Sequence, residues 1–93
     1  MSGFAAALAA LPTGTFTGTA DGRRYVVTKS AFARNRAIKL VAEERGGSDY
    51  ISLNWYALTS GGLLRPCEMP EAKVRRFVEC LEVIRDEPKA PPA

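Results

Sequence analysis

The stretch YISLNWYAL, from Tyr50 to Leu58, alternates apolar and polar side chains one residue at a time. One side of an extended chain carries the apolar set, which is Ile51, Leu53, Trp55 and Ala57. The other side carries Tyr50, Ser52, Asn54 and Tyr56. A period of two is that of a β-strand buried on one face. We therefore predict a strand that places Trp55 in the core and leaves Tyr50 and Tyr56 on its polar face.

Further strand signals flank this stretch. AIKLVAEE (37–44) alternates in the same way with Ile38 on the core side, and RYVVTKSAF (24–32) is rich in β-branched and aromatic residues. TGTFTGTADG (13–22) suits a short edge strand followed by an Asp-Gly turn. LLRPCEM (63–69) suits a last edge strand, because Pro66 cannot donate to a ladder. These segments predict an antiparallel meander of three to five strands.

The hydrophobic period changes after Pro70, which suits the first turn of a helix. Apolar residues then recur at helical spacing, at Val74, Phe77, Val78, Leu81 and Ile84. We expect this C-terminal amphipathic helix to pack on the sheet, which gives an α+β fold of two layers. FAAALAALP near the N-terminus favours a short helix ended by Pro12 and Gly14, either docked on the domain or frayed.

The 93 residues suffice for one modest core. We expect an N-terminal apolar segment over 1–14, a single α+β domain over 15–86 and a disordered proline-rich tail over 87–93. The apolar N-terminal run is too short to span a bilayer and has no basic residue before it. Two cysteines are too few for a secreted disulfide framework, so a cytoplasmic protein is expected, with no membrane partner.

The residues needed for most enzyme chemistry are missing. There is no histidine, and neither a phosphate-binding loop nor a dinucleotide fingerprint occurs. Cys67 follows Arg65 and Pro66, which allows a reactive thiol, although an inert buried cysteine is the commoner case. We expect no enzyme, no metal and no cofactor.

Positive charge is concentrated in one hairpin. Residues 23–45 contain seven basic and two acidic residues, whereas 66–93 contain five basic and six acidic ones. Cations that neutralise phosphates, with aromatic rings on which bases stack, are what sequence-tolerant single-strand binding needs. The candidate nucleic-acid-binding residues are Arg23, Arg24, Lys29, Arg34, Arg36, Lys39, Tyr50 and Tyr56. The alternative is that this charge only solvates the sheet and prevents edge aggregation.

A second strip lies beside the core stripe of the predicted helix, formed by Ala72, Arg76, Cys80 and Val83. This strip suggests a homodimer interface, because a small domain gains stability by burying surface against a second copy. Scattered surface apolar residues are the alternative explanation. An assembly or protein-interaction domain that uses this helix and an open sheet edge is therefore a second functional hypothesis.

The hairpin RRYVVTKSAFARNRAIKLVAEE resembles that of the single-stranded-DNA-binding transcriptional coactivator family, positive cofactor four and its bacterial relatives. The positions that carry the resemblance are Arg24, Tyr25, Val26, Phe32, Ile38, Leu40 and Glu43. The resemblance implies a homodimer formed largely through the helices, with a basic channel for single-stranded DNA or RNA along the strands. It also implies that Arg24, Lys39 and the turn residues Arg34 and Arg36 lie near phosphates.

Overall fold

The computed structural model describes residues 3–34, 36–58 and 61–84. In chain order the elements are α1 (Gly3–Ala10), β1 (Gly14–Ala20), β2 (Arg23–Phe32), β3 (Ala37–Glu44), β4 (Tyr50–Leu58), β5 (Gly61–Pro66), α2 (Glu71–Cys80) and β6 (Glu82–Val83). All strand pairs are antiparallel, and the sheet order is β5-β4-β3-β2-β1-β6. The α+β class and the meander are confirmed, and the sheet has one strand more than the largest number predicted.

Tight turns set the register of the meander. Asp21 and Gly22 both have positive φ, at 53° and 77°, as a two-residue hairpin turn of the type favoured by right-handed strand twist requires. The β2–β3 hairpin then pairs from Tyr25 opposite Glu44 to Phe32 opposite Ala37. The basic segment is therefore a β-hairpin, as the sequence predicts.

Both helices pack on the same face of the sheet, so the domain has two layers. The core between them consists of Phe4, Leu8, Leu11, Ala20, Tyr25, Val27, Ile38, Leu40, Ala42, Ile51, Leu53, Val74, Phe77 and Val78. Tyr25 meets Phe77 of α2 edge to face, with ring centroids 4.8 Å apart. Trp55 is partly buried against this core, which confirms its predicted side of β4. Of the two alternatives for the N-terminal segment, the docked helix is observed.

The C-terminal helix is shorter than its apolar stripe predicts. Val74, Phe77 and Val78 are buried as expected, but α2 ends at Cys80 and Leu81 has extended backbone angles. The chain then pairs with β1, and the Ile84 N–H donates to the Thr17 carbonyl over 2.8 Å. The chain forms β6 on the outer edge of β1 and does not add another turn to α2. This pairing satisfies backbone groups of β1 that would otherwise lack a partner in the sheet.

This early helix end also breaks the predicted dimer strip. Val83 lies in β6 and packs partly against the core, so it does not continue the helical face of Ala72 and Cys80. The Arg76 guanidinium donates to both carboxylate oxygens of Asp21, at 3.2 and 3.1 Å. The prediction of one continuous helical strip is therefore wrong, although Ala72 and Cys80 are exposed.

One expectation falls outside the described residues, namely the disordered tail over 87–93. Neither α1 nor α2 is long and apolar enough to cross a membrane.

Candidate nucleic-acid interface

The sheet face opposite the helices is the open face, and no described element lies over it. Alternate strand residues point to this face, because neighbouring residues of a strand point to opposite sides. The large apolar side chains that are most exposed in the described structure all belong to it by this alternation: Val26, Phe32, Tyr50, Tyr56 and Leu58. An exposed apolar surface of this kind commonly marks a binding site.

An aromatic row crosses four strands at one end of the open face. Phe32 on β2 lies opposite Ala37 on β3, which lies opposite Tyr56 on β4, which in turn lies opposite Leu63 on β5. Phe32 is 55% exposed and Tyr56 is 38% exposed. Neighbouring strands are about 4.8 Å apart, so the two rings stand about 10 Å apart over the small Ala37. Both side chains are therefore partly open to solvent.

A basic row lies next to the aromatic row, two residues along each strand, or about 7 Å away. Its members follow the same register, with Ser30 opposite Lys39, Lys39 opposite Asn54 and Asn54 opposite Arg65. Lys39 and Arg65 are both exposed. Within the described residues the four ion pairs all use Arg23, Lys73, Arg75 or Arg76. Among the described residues, Lys39 and Arg65 therefore form no salt bridge with a carboxylate.

Two further arginines extend the positive charge beyond the aromatic row. Arg34 and Arg36 lie in the β2–β3 turn and are exposed. Ala33 and Arg34 have positive φ, and the Arg36 N–H donates to the carbonyl oxygen of Phe32 over 3.1 Å. This turn therefore carries both arginines within four residues of Phe32 along the chain. We call the aromatic row, the basic row and these two arginines the open-face patch.

The other end of the open face has a different character. Tyr50 is exposed there, but Glu43 lies opposite it, and Val26 lies opposite Glu43. Tyr50 and Tyr56 are six residues apart on one strand, which corresponds to about 20 Å. Arg24 is also exposed at this end. The structure therefore brings Tyr56, Lys39, Arg34 and Arg36 together and keeps Tyr50 and Arg24 apart from them.

Lys29 does not belong to the open face, so its assignment as a phosphate-binding residue is wrong. Its side chain is only 4% exposed and lies on the helix side of the sheet. The ammonium donates to the carbonyl oxygens of Leu8, Leu11 and Ala9, at 2.8, 2.7 and 3.3 Å. These carbonyls lie at and just after the end of α1, where the last turn of a helix lacks partners. Burial lowers the pKa of the Lys29 ammonium.

Arg23 also faces the helix side, because it shares its side of β2 with Tyr25. Its Nη1 lies 3.9 Å from Asp49 Oδ2. The same carboxylate accepts hydrogen bonds from Lys73 Nζ at 2.7 Å and from the Tyr25 hydroxyl at 2.8 Å. These bonds, that of Lys73 foremost, hold the pKa of Asp49 below its usual value. Arg23 thus lies at the contact between the sheet and α2, on the side opposite the open face.

Both described cysteines are free thiols. Cys67 is half-buried with its Sγ 3.9 Å from Asn54 Nδ2, and Cys80 is exposed. No group of three or more potential metal ligands occurs among the residues that the structure describes.

Sequence reasoning missed two members of the open-face patch, Phe32 and Arg65, as binding residues. The adjacent Leu63 and Leu64 hide the alternation of β5, so the direction of Arg65 becomes visible only once its pairing with Asn54 is known. Phe32 was predicted to lie in the strand, but its exposure depends on which face the helices cover.

Comparison of the chain with protein-family models, with curated proteins and with solved structures finds no match.

Proposed function

We propose that this protein binds single-stranded nucleic acid on the open-face patch, without strong base specificity. Bases stack on Phe32 and Tyr56, while Lys39, Arg65 and the turn arginines neutralise phosphates. The observation that carries the proposal is the register, which sets an exposed aromatic row directly beside an exposed basic row on a face that no described element covers.

Stacking and phosphate neutralisation together supply enough free energy for binding at this surface. Stacking of a base on an aromatic side chain contributes about 1 to 3 kcal/mol, so two rings supply roughly 2 to 6 kcal/mol. Release of counterions from neutralised phosphates adds a contribution that falls with salt. Contacts from cations to phosphates and stacking of bases on aromatic rings hardly distinguish one base from another. The proposed binding is therefore sequence-tolerant.

The same geometry favours unpaired strands over a duplex. Phe32 and Tyr56 are exposed, and a base can stack on their rings only when its own face is accessible. In a duplex the base faces are covered by neighbouring base pairs. We therefore propose single-stranded DNA or RNA as the partner, in the cytoplasm, where the two thiols stay reduced.

The test is fluorescence anisotropy of a labelled mixed-sequence single-stranded oligonucleotide, titrated at several salt concentrations, with the matching duplex as control. Each phosphate contact to a single strand contributes about −0.7 to the log–log salt slope, so four cations predict a slope near −2.8. A double variant, Lys39→Gln with Arg65→Gln, is expected to make this salt slope shallower, at about −1.4. An unchanged slope in this variant would contradict the proposed phosphate contacts.

The aromatic contribution is tested separately with matched tyrosines of β4. Tyr56→Ala is expected to weaken binding by about 5- to 150-fold, the equivalent of one lost stack. Tyr50→Ala removes an equally exposed ring at the distant end of the same strand and is expected to leave the affinity nearly unchanged. Equal losses in both variants would contradict a stacking site confined to the aromatic row.

A second candidate function is assembly through the sheet edge. β5 pairs only with β4 among the described strands, so its outer backbone groups remain open to another strand. The family resemblance implies a homodimer formed largely through the helices, but the interrupted strip on α2 makes the β5 edge the better candidate for such a contact. Sedimentation velocity over a wide concentration range tests it, and a monomer throughout would exclude this route.

A further inference from the structure

A cavity lies on the helix side of the sheet, between α1 and strands β2, β3 and β4. Its apolar walls include Ala5, Ala9, Ile38 and Trp55, and its polar lining comes from Lys29 and Thr13. The volume is about 220 Å³. An apolar cavity of roughly 150 Å³ already accommodates a benzene molecule. This cavity therefore has room for one six-membered ring with a small substituent.

The charge of Lys29 gives the cavity a chemical preference. The three hydrogens of its ammonium meet three carbonyl oxygens, which satisfies its hydrogen bonding. Its positive charge has only the partial negative charge of the α1 C-terminus beside it, since none of the ion pairs between described residues includes Lys29. A buried charge is normally balanced by an opposite charge. An anion beside Lys29 would supply that balance.

We propose that this cavity binds a small apolar carboxylate of about the size of benzoate, with the carboxylate at Lys29 and the apolar body against Ile38 and Trp55. The bond from Lys29 to the Ala9 carbonyl is the longest of the three, at 3.3 Å, and Ala9 also lines the cavity. The ligand carboxylate replaces this bond. The site is separated from the open-face patch by the sheet, so it does not depend on nucleic-acid binding.

The chain provides its own reporter, because Trp55 lines the cavity and is the only tryptophan. The experiment is titration of the full chain with sodium benzoate and, separately, with benzyl alcohol, an uncharged molecule of similar size. Benzoate is expected to change the Trp55 fluorescence saturably and to bind about tenfold or more tightly than benzyl alcohol, because it bonds to a buried charge. Absence of saturable binding, or equal binding of both compounds, would overturn the proposal.

Variants locate the binding without disturbing Lys29. Ala9→Leu enlarges a residue that lines the cavity and is expected to abolish the benzoate response. Ala6→Leu adds the same bulk at an exposed position of α1 outside the cavity lining and is expected to retain it. Thermal denaturation of both variants verifies that they are folded. A benzoate response that survives in Ala9→Leu would show that the anion binds elsewhere.

Discussion

Replacement of Lys29 by methionine is expected to destabilise the fold, although it removes a charge from the core. Methionine approximates the length of the lysine stem, so the packing between α1 and the sheet changes little. What disappears are the three hydrogen bonds to the carbonyl oxygens of Leu8, Leu11 and Ala9. Two of these bonds, to Leu8 and Leu11, are buried.

The magnitude follows from these two carbonyls. The Leu8 carbonyl keeps a bond from the Leu11 N–H, at 3.3 Å, so the main cost falls on the Leu11 carbonyl. A buried acceptor that loses its donor costs about 1 to 3 kcal/mol. Removal of the buried ammonium recovers part of this cost, because its desolvation no longer opposes folding, while the lost bond to Leu8 adds to it. We therefore expect a net loss of about 1 to 3 kcal/mol in the free energy of unfolding, a large share of the stability of a domain this small.

Urea denaturation followed by Trp55 fluorescence measures this loss as a lower midpoint at unchanged m-value. Lys39→Met is the matched control, because Lys39 lies on the same hairpin but is exposed on the opposite face. Its expected effect is within about 0.5 kcal/mol. If the two methionine variants unfolded at the same urea concentration, the role assigned to Lys29 in holding α1 would be refuted.

Two further predictions concern the contacts of α2 and β6. The hydrogen bond from Lys73 lowers the folded-state pKa of Asp49 from its usual 3.8, so Asp49 contributes stability above that pH and loses it as pH falls through the lowered value. In the variant Asp49→Asn the urea midpoint should therefore fall less steeply as the pH is lowered into the acid range. The same pH dependence in the variant and the parent would contradict this linkage. Gly18→Ala would place a methyl carbon 2.7 Å from Leu81 Cδ1, which predicts a loss of about 1 to 3 kcal/mol by thermal denaturation. Thr19→Ala is the neighbouring control, and equal stability of both variants would argue against close packing of β6 on β1.

Residue alternation was enough to predict most of the sheet. It assigned Ile38 and Leu53 to the core and Tyr56 to the opposite face, because a strand with one buried face must keep its period. The same rule assigns Lys29 to the side of Val27, and its charge misled the functional interpretation. A lysine is rarely buried, and only the carbonyls at the end of α1 make burial favourable here. Those carbonyls are twenty residues away in sequence, so no local pattern indicates them.

The residue at which α2 ends and the full set of residues in the open-face patch could not be predicted from the sequence, for a related reason. The apolar spacing of Leu81 and Ile84 continues the helical stripe, but strand pairing with β1 overrides this local preference. Arg65 lies in one row with Lys39 only because β3 and β5 both pair with β4, where Asn54 lies opposite each of them. Local periodicity therefore predicts elements and faces, whereas contacts between distant segments decide which charges meet.

The confinement of both helices to one face has a consequence for engineering. Along β2 to β5 every second side chain serves the interior, and the ones between them lie on the open face. A combinatorial library restricted to those intervening positions would vary the recognition surface while leaving the interior sequence intact. The domain thus offers a compact scaffold, without disulfides between its described cysteines, in which new binding specificities can be selected at little cost in foldability.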